Sequence, residues 1–173
     1  MSATLSPSGI AARDFSTGPG RQLKNWTDIR DFIFAGHAIF TLRSLKTGMR
    51  YTYEVKVKKA DVEREYPLAA NDTTYFVSVL RGPDNTDHFS YMGVLRRPGR
   101  FWITERSRVL RSAGSMKALL WFLDALAHER PVLNGRLEVW HEGRCGRCGR
   151  RLTVPESIDR GLGADCAGMG GTK

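Results

Sequence analysis

The 173 residues predict an α+β protein, with an antiparallel sheet of about five strands, helices packed on one face, and a small C-terminal unit of the zinc-knuckle or treble-clef-like kind. Three observations lead there. Segments that alternate apolar and polar residues follow one another from about residue 37 to about residue 106. Two segments of helical period flank them. All three cysteines, Cys145, Cys148 and Cys166, fall near the C-terminus. The expected organisation is a flexible N-terminal arm over 1–24, an α+β domain over 25–134 and a zinc-binding tail over 135–173.

The arm is rich in Ser, Gly, Ala and Pro ("LSPSGIAARDFSTGPGRQ"), a composition that buries little. "NWTDIRDFIFAG" then predicts a short helix. Thr27 is its expected cap, Asp28 lies in the first turn, Ile29, Phe32 and Ile33 share a face, and Gly36 ends it. "HAIFTLRS" and "MRYTYEVKVKK" flank "LKTG" and predict a hairpin, with Gly48 at positive φ. In the second strand Tyr51, Tyr53, Val55 and Val57 alternate with polar residues, so one face is buried and the other wet. "TTYFVSVLR", "DHFSYMGVLRR" and "GRFWITER" predict three more strands, joined by "GPDNTD" and by a tight turn at Pro98 and Gly99. "SMKALLWFLDALAHER" is the clearest helix, with Ser115 as cap, an apolar stripe of Met116, Leu119, Leu120, Leu123 and Leu126, and Pro131 as stop. A short strand, "RLEVW", precedes the cysteines. An oligonucleotide-binding-type barrel is the competing architecture, and the flanking helices argue against it.

The tail spacing is His141-x3-Cys145-x2-Cys148-x17-Cys166. Two cysteines two residues apart grip one ion from a tight turn, and Gly146 and Gly149 relieve the backbone there. "TVPE" has the form of a capping box, Thr153 with Glu156, with Pro155 in the first helical turn. Gly161 and Gly163 then turn the chain so that Cys166 returns to the ion. So few apolar residues (Leu152, Val154, Ile158 and Leu162) hold the unit that a metal is needed to fold it. His141, Cys145, Cys148 and Cys166 would close a tetrahedral, structural Zn²⁺ site, one ion per chain. Asp165 or water is the alternative fourth ligand, and an open position would readmit catalysis. His37, His88 and His128 lie far off in sequence. A thioredoxin-like redox pair is disfavoured because glycine and arginine surround the motif, an extended step follows it, and a third cysteine is left over.

"RCGRCGRRLTVPESIDRGLGADC" resembles the tail of a family of uncharacterised proteins encoded by phages, prophages and bacteria. There a Cys-x-x-Cys-Gly-Arg-x-Leu-Thr-x-Pro-x-Ser stretch leads to Gly-x-Gly-Pro-x-Cys. "LEVWHEG" fits the same pattern, and "YFVSVLRGPDNTDHFSYMGVL" resembles longer members. This chain has Ala164 where the family usually has proline. The resemblance implies a zinc site and a viral or mobile-element origin; it carries no activity.

Charge bounds the partner. The chain has 27 basic and 18 acidic residues, a net +9, which favours a polyanion, DNA or RNA, or an acidic protein surface. Arg96, Arg97, Arg100, Arg106 and Arg108 cluster around Trp102, the pairing of cation and aromatic that single-strand binders use. The plainer account is an edge strand kept soluble by arginine, with at least one of Phe101 and Trp102 in the core. Arg144, Arg147, Arg150 and Arg151 surround the cysteines, where they either meet phosphate or balance the thiolates. Lys56, Lys58 and Lys59 extend the wet face of the second strand. Asp84 and Asp87 beside His88 are the nearest approach to a nuclease cluster, but polar turns have the same composition. No P-loop, nucleophile elbow or His-Glu-x-x-His pattern is present, and no enzyme is expected. The opening residues lack the apolar core of a secretory signal and no apolar run reaches membrane-spanning length, so a cytoplasmic protein is expected, in the host bacterium if a phage encodes it. Nucleic acid is the first expected partner. The alternative is a host bacterial protein bound and inhibited, as an antagonist of defence would do.

Overall fold

The computed structural model describes residues 21–59, 72–81, 88–133 and 135–168. Most of the expected N-terminal arm and the turn carrying Asp84 and Asp87 lie outside them. Among the described residues seven strands and four helices follow one another as β1 (Gln22–Leu23), α1 (Trp26–Ile33), β2 (His37–Ser44), β3 (Arg50–Val57), β4 (Tyr75–Leu80), β5 (Phe89–Arg96), β6 (Arg100–Trp102), α2 (Gly114–Ala127), β7 (Leu137–His141), α3 (Pro155–Arg160) and α4 (Ala164–Gly168). The strands form one sheet in the order β1-β7-β2-β3-β4-β5-β6, and every neighbouring pair is antiparallel.

The sheet thus exceeds the expected five strands. The two extra strands come from the chain ends: β7 pairs with β2, with Leu42 opposite Val139, and β1 pairs with β7, with Leu23 opposite Val139 on its other side. Leu23, at the end of the expected arm, is 1% exposed. A two-residue strand carries no periodic signal, so only its partner reveals it. The strand assigned to the start of the tail is therefore part of the body's sheet.

One face of the sheet holds the core. Ala38, Phe40, Tyr53, Val55, Val77 and Val139 project to it, and α1 and α2 cover it with Ile29, Phe32 and Ile33 and with Met116, Leu119, Phe122 and Leu126. The Phe40 ring lies between Tyr53 and Phe122 at 5.7 Å from each. Tyr53 donates its hydroxyl to the Ser115 carbonyl at 2.7 Å, so the most buried phenol of the sheet is satisfied by the helix that covers it. Two core-facing positions, one on β5 and one in the turn before β6, require close backbone approach. A Cβ on Gly93 would collide with the Trp102 carbonyl, and one on Gly99 would lie 2.8 Å from the Leu123 carbonyl.

Helix ends depart from expectation by short steps with local causes. α1 begins at Trp26, one residue before Thr27, and its cap is Asn25, whose side chain accepts the Asp28 N–H at 2.8 Å. α2 begins at Gly114, so Ser115 lies inside the first turn and no side chain caps the helix. It also ends at Ala127, ahead of Pro131. Glu129 takes a left-handed φ of 49°, and Asp124 draws in His128 and Arg130, at 3.2 and 2.8 Å. α1 is tied to this corner by Trp26 Nε1 donating to the Arg130 carbonyl at 2.9 Å and by an Arg30–Glu129 ion pair at 2.6 Å. No helix among the described residues is long and apolar enough to cross a membrane.

Candidate metal centre

Beyond β7 the chain makes a tight hairpin around the first two cysteines. Cys145 N–H donates to the Arg150 carbonyl, Gly149 N–H to the Cys145 carbonyl, and Arg144 and Arg151 face each other in an antiparallel bridge. Gly149 takes a φ of 72°, which an L side chain rarely adopts. The return step leads into α3, which has Pro155 at its first turn and Gly161 (φ 73°) as a left-handed C-cap. Thr153 does not form the expected capping box: Val154 is the N-cap residue, and no side chain bonds there. After Gly163 the chain enters α4, which carries Cys166.

The three thiols converge as the spacing predicts. The Sγ atoms of Cys145, Cys148 and Cys166 all lie within 4.8 Å of one another, a group that could hold a metal ion. A tetrahedral ion with S ligands at about 2.3 Å sets its sulfurs about 3.8 Å apart, so little movement is needed. The donor set itself suits a cation. Cys145 Sγ accepts the N–H groups of Arg147 and Gly163, both at 3.4 Å. Burial pushes the Cys145 thiol up, but these donors and the Cys148 N–H outweigh it and bring the pKa down to about 7. Cys166 moves the other way, up to about 11, through burial and through the two neighbouring sulfurs. Three sulfurs this close cannot all ionise without a cation among them, and an ion removes that conflict.

His141 does not join the three thiols in this structure. Its side chain is 1% exposed and projects to the core face of the sheet, 5.5 Å from the Phe32 ring. Nδ1 accepts the Gly143 N–H at 2.9 Å, and Nε2 contacts the Ile158 carbonyl at 2.6 Å and must carry the proton. Both nitrogens are therefore committed, and burial, the largest cause, holds the imidazole below its ordinary pKa and neutral. The period of β7 explains the outcome. Leu137, Val139 and His141 share the buried face, so His141 continues the core rather than ending a polar strand. Its role is to pin α3 to the sheet. Asp165 is exposed and outside the thiol group, and among the described residues no fourth Cys, His, Asp or Glu joins it.

The unit has a small apolar cluster of Cys145, Leu152 and Leu162, with Ala35 and Ile158 against it. It docks on the body through Phe32, whose place in the helical period predicts only that it lies on the buried face of α1. A Cβ on Gly146 would lie 2.7 Å from Phe32 Cδ2, and one on Gly161 would lie 2.6 Å from it. The His37 N–H also donates to the Gly146 carbonyl, which joins the hairpin to the start of β2.

The arginine clusters separate. Arg96, Arg100 and Trp102 share the open face of the sheet at its β6 edge, and Trp102 is 47% exposed while Phe101 packs on the core. The Arg96 guanidinium lies 5.9 Å from the centre of the Trp102 ring. Arg97 turns away, 4.8 Å from the Phe34 ring. Arg106 is exposed in the following loop, and Arg108 has its backbone bonded to Tyr91 and Arg81. Around the thiols, Arg144 donates to the Gly149 carbonyl at 3.2 Å and Arg147 to the Cys166 carbonyl at 3.5 Å, so both brace the unit; Arg150 and Arg151 are exposed. Lys56 pairs with Glu54 at 2.8 Å, and His37 lies 3.5 Å from the same carboxylate.

Residues 136–169, which span β7 and the cysteine unit, match a family of unknown function, DUF6011. Comparison with curated proteins and with solved structures finds no match.

Proposed function

We propose that this is a small zinc-stapled protein that binds nucleic acid without catalysing a reaction. The observation that carries the reading is the exposed trio Arg96, Arg100 and Trp102 on a sheet face that no helix among the described residues covers, a cation and a stacking surface side by side. The net charge of +9 supports it, since phosphate neutralisation supplies most of the affinity of such proteins. Zinc suits three thiolates better than a hard cation does, and although water or Asp165 would take the fourth position, among the described residues no further His, Asp or Glu joins the thiols to act as a catalytic base. The ion's role is structural: the unit it holds is a basic knob fringed by Arg144, Arg147, Arg150 and Arg151. The resemblance of the tail to phage and prophage proteins favours a mobile-element origin and a cytoplasmic site of action.

Labelled single- and double-stranded oligonucleotides titrated at two salt concentrations test the reading. Affinity is expected to fall steeply with salt; no binding at low salt would overturn it. Elemental analysis of protein purified under reducing conditions should find close to one zinc per chain, and Cys148→Ser should lose it.

A second reading, a module that binds and inhibits a host protein of a defence system, has its own observation. A groove of about 430 Å³ lies between the β2–β3 turn and α2, lined by Leu42, Met49, Tyr51 and Trp121 with Lys46 and Arg136 beside them. Met49 and Trp121 are exposed there. Failure to bind any oligonucleotide, together with a stoichiometric complex with one host protein, would favour this reading.

A further inference from the structure

We propose that the face of the sheet opposite the helices is a continuous stacking track for single-stranded nucleic acid, running from the cysteine unit to the β6 edge. The proposal rests on the nucleic-acid reading above and adds the class of strand, its path and two side chains, Phe76 and Tyr91, that no sequence motif marked. Strand register defines the path. His37 is paired with Lys56, Lys56 with Phe76, Phe76 with Val94 and Val94 with Trp102. Directly opposed residues share a face, so these five form one row across β2, β3, β4, β5 and β6. Four strand spacings make it about 19 Å long.

The row has the chemistry of a strand-binding platform along its length. Phe76 is 39% exposed and Trp102 47%. Tyr91 stands beside Phe76 with ring centres 6.1 Å apart, in an edge-on arrangement that leaves a face for a base. The core had no use for these rings, since Tyr75, Val77 and Val79 of β4 fill the other side. Both long helices lie on that other side, and among the described residues no helix covers the open face. Cations stand at both ends. Arg96 and Arg100 flank Trp102, and among the described residues neither forms an ion pair. At the opposite end Arg144 and Gly149 of the cysteine hairpin border a hollow of about 370 Å³ with His37, Glu54 and Lys56.

Carboxylates locate the phosphates. Glu54 neutralises Lys56, and Glu142 also borders the hollow, so the His37 end is nearly balanced in charge. Phosphate contact therefore concentrates at Arg96 and Arg100, and bases lie over Trp102 and Phe76. A duplex cannot use this surface, because its bases are stacked on one another and show the protein only their edges.

Anisotropy with a labelled dT12 and with a 12-base-pair duplex tests the track on the full-length, zinc-loaded protein. The single strand should bind more tightly. Trp102→Ala and Phe76→Ala should each weaken dT12 binding roughly 5- to 150-fold with little change in salt dependence, and Trp102→Phe should keep most of the affinity. Arg96→Ala and Arg100→Ala should instead each lower the salt slope by about 0.7. Trp121→Ala, exposed on α2 beyond the other face, should change nothing. Thermal melts identify any variant that has lost its fold, and Phe76→Leu then replaces Phe76→Ala. Tighter duplex binding, or full dT12 affinity in both aromatic variants while Arg147→Ala and Arg150→Ala lose it, would overturn the track and leave nucleic-acid binding standing. No oligonucleotide binding at all would overturn both.

Discussion

Replacing His141 with phenylalanine separates a pinning residue from a metal ligand. The ring volume and the contact with Phe32 survive, and two hydrogen bonds are removed. The Gly143 N–H, buried with its residue, loses its acceptor, and an orphaned buried donor costs about 1–3 kcal/mol. The Ile158 carbonyl fares better. It still accepts the Gly161 N–H at 3.2 Å, so losing the imidazole removes one net bond of about 1 kcal/mol. Urea unfolding at saturating zinc should therefore show a loss of about 2–4 kcal/mol, a large share of an ordinary domain's stability. The imidazole also sets a pH signature. Burial depresses its folded pKa, so between that value and the unfolded value of about 6.5 the unfolded chain binds more protons than the native one. Stability is complete above about pH 6.5 and falls as the pH drops below it, by up to about 1.4 kcal/mol per unit from this group. The phenylalanine variant should lack that share of the slope. Zinc content of the folded variant should stay at one per chain, because both His141 nitrogens are bonded to backbone groups and lie outside the thiol group. A folded variant that has lost its zinc, or a stability loss under about 0.5 kcal/mol, would refute the reasoning.

Two further outcomes follow from local geometry. Gly161→Ala should destabilise by about 1–3 kcal/mol in thermal denaturation, since a Cβ there meets Phe32 at 2.6 Å on a left-handed backbone, whereas Gly163→Ala, with nothing within 4 Å, should be nearly neutral. Asn25→Ala should cost about 1 kcal/mol by uncapping α1, while Thr153→Ala, at a position that caps nothing, should leave the melting temperature within error.

How much of this was legible in the chain depends on the range of the interaction involved. The strands β2 to β5, the stripe of α2 and the cysteine knuckle announce themselves because each is written in a short local pattern, a period of two, a period of 3.6 or a two-residue spacing. Phe76 and Tyr91 were within reach of the same alternation, which sends them away from the core, but nothing local says whether a second layer covers that face. His141 misled for a related reason. Its position four residues before Cys145 suits a ligand, and only packing against Phe32, with Ile158 and Gly143 brought to its two nitrogens, decides otherwise.

By itself the sequence determined the element types, the basic charge and the convergence of three thiols, because local sterics, side-chain periodicity and short loops dictate these whatever surrounds them. The tertiary structure alone decided that Leu23 adds a strand, that His141 is core, that the cysteine unit seats on Phe32, and that lysine, phenylalanine and tryptophan from separate strands align in one row. Those outcomes depend on pairing and burial between residues in places more than a hundred positions apart, and no local pattern encodes which strand will lie beside which.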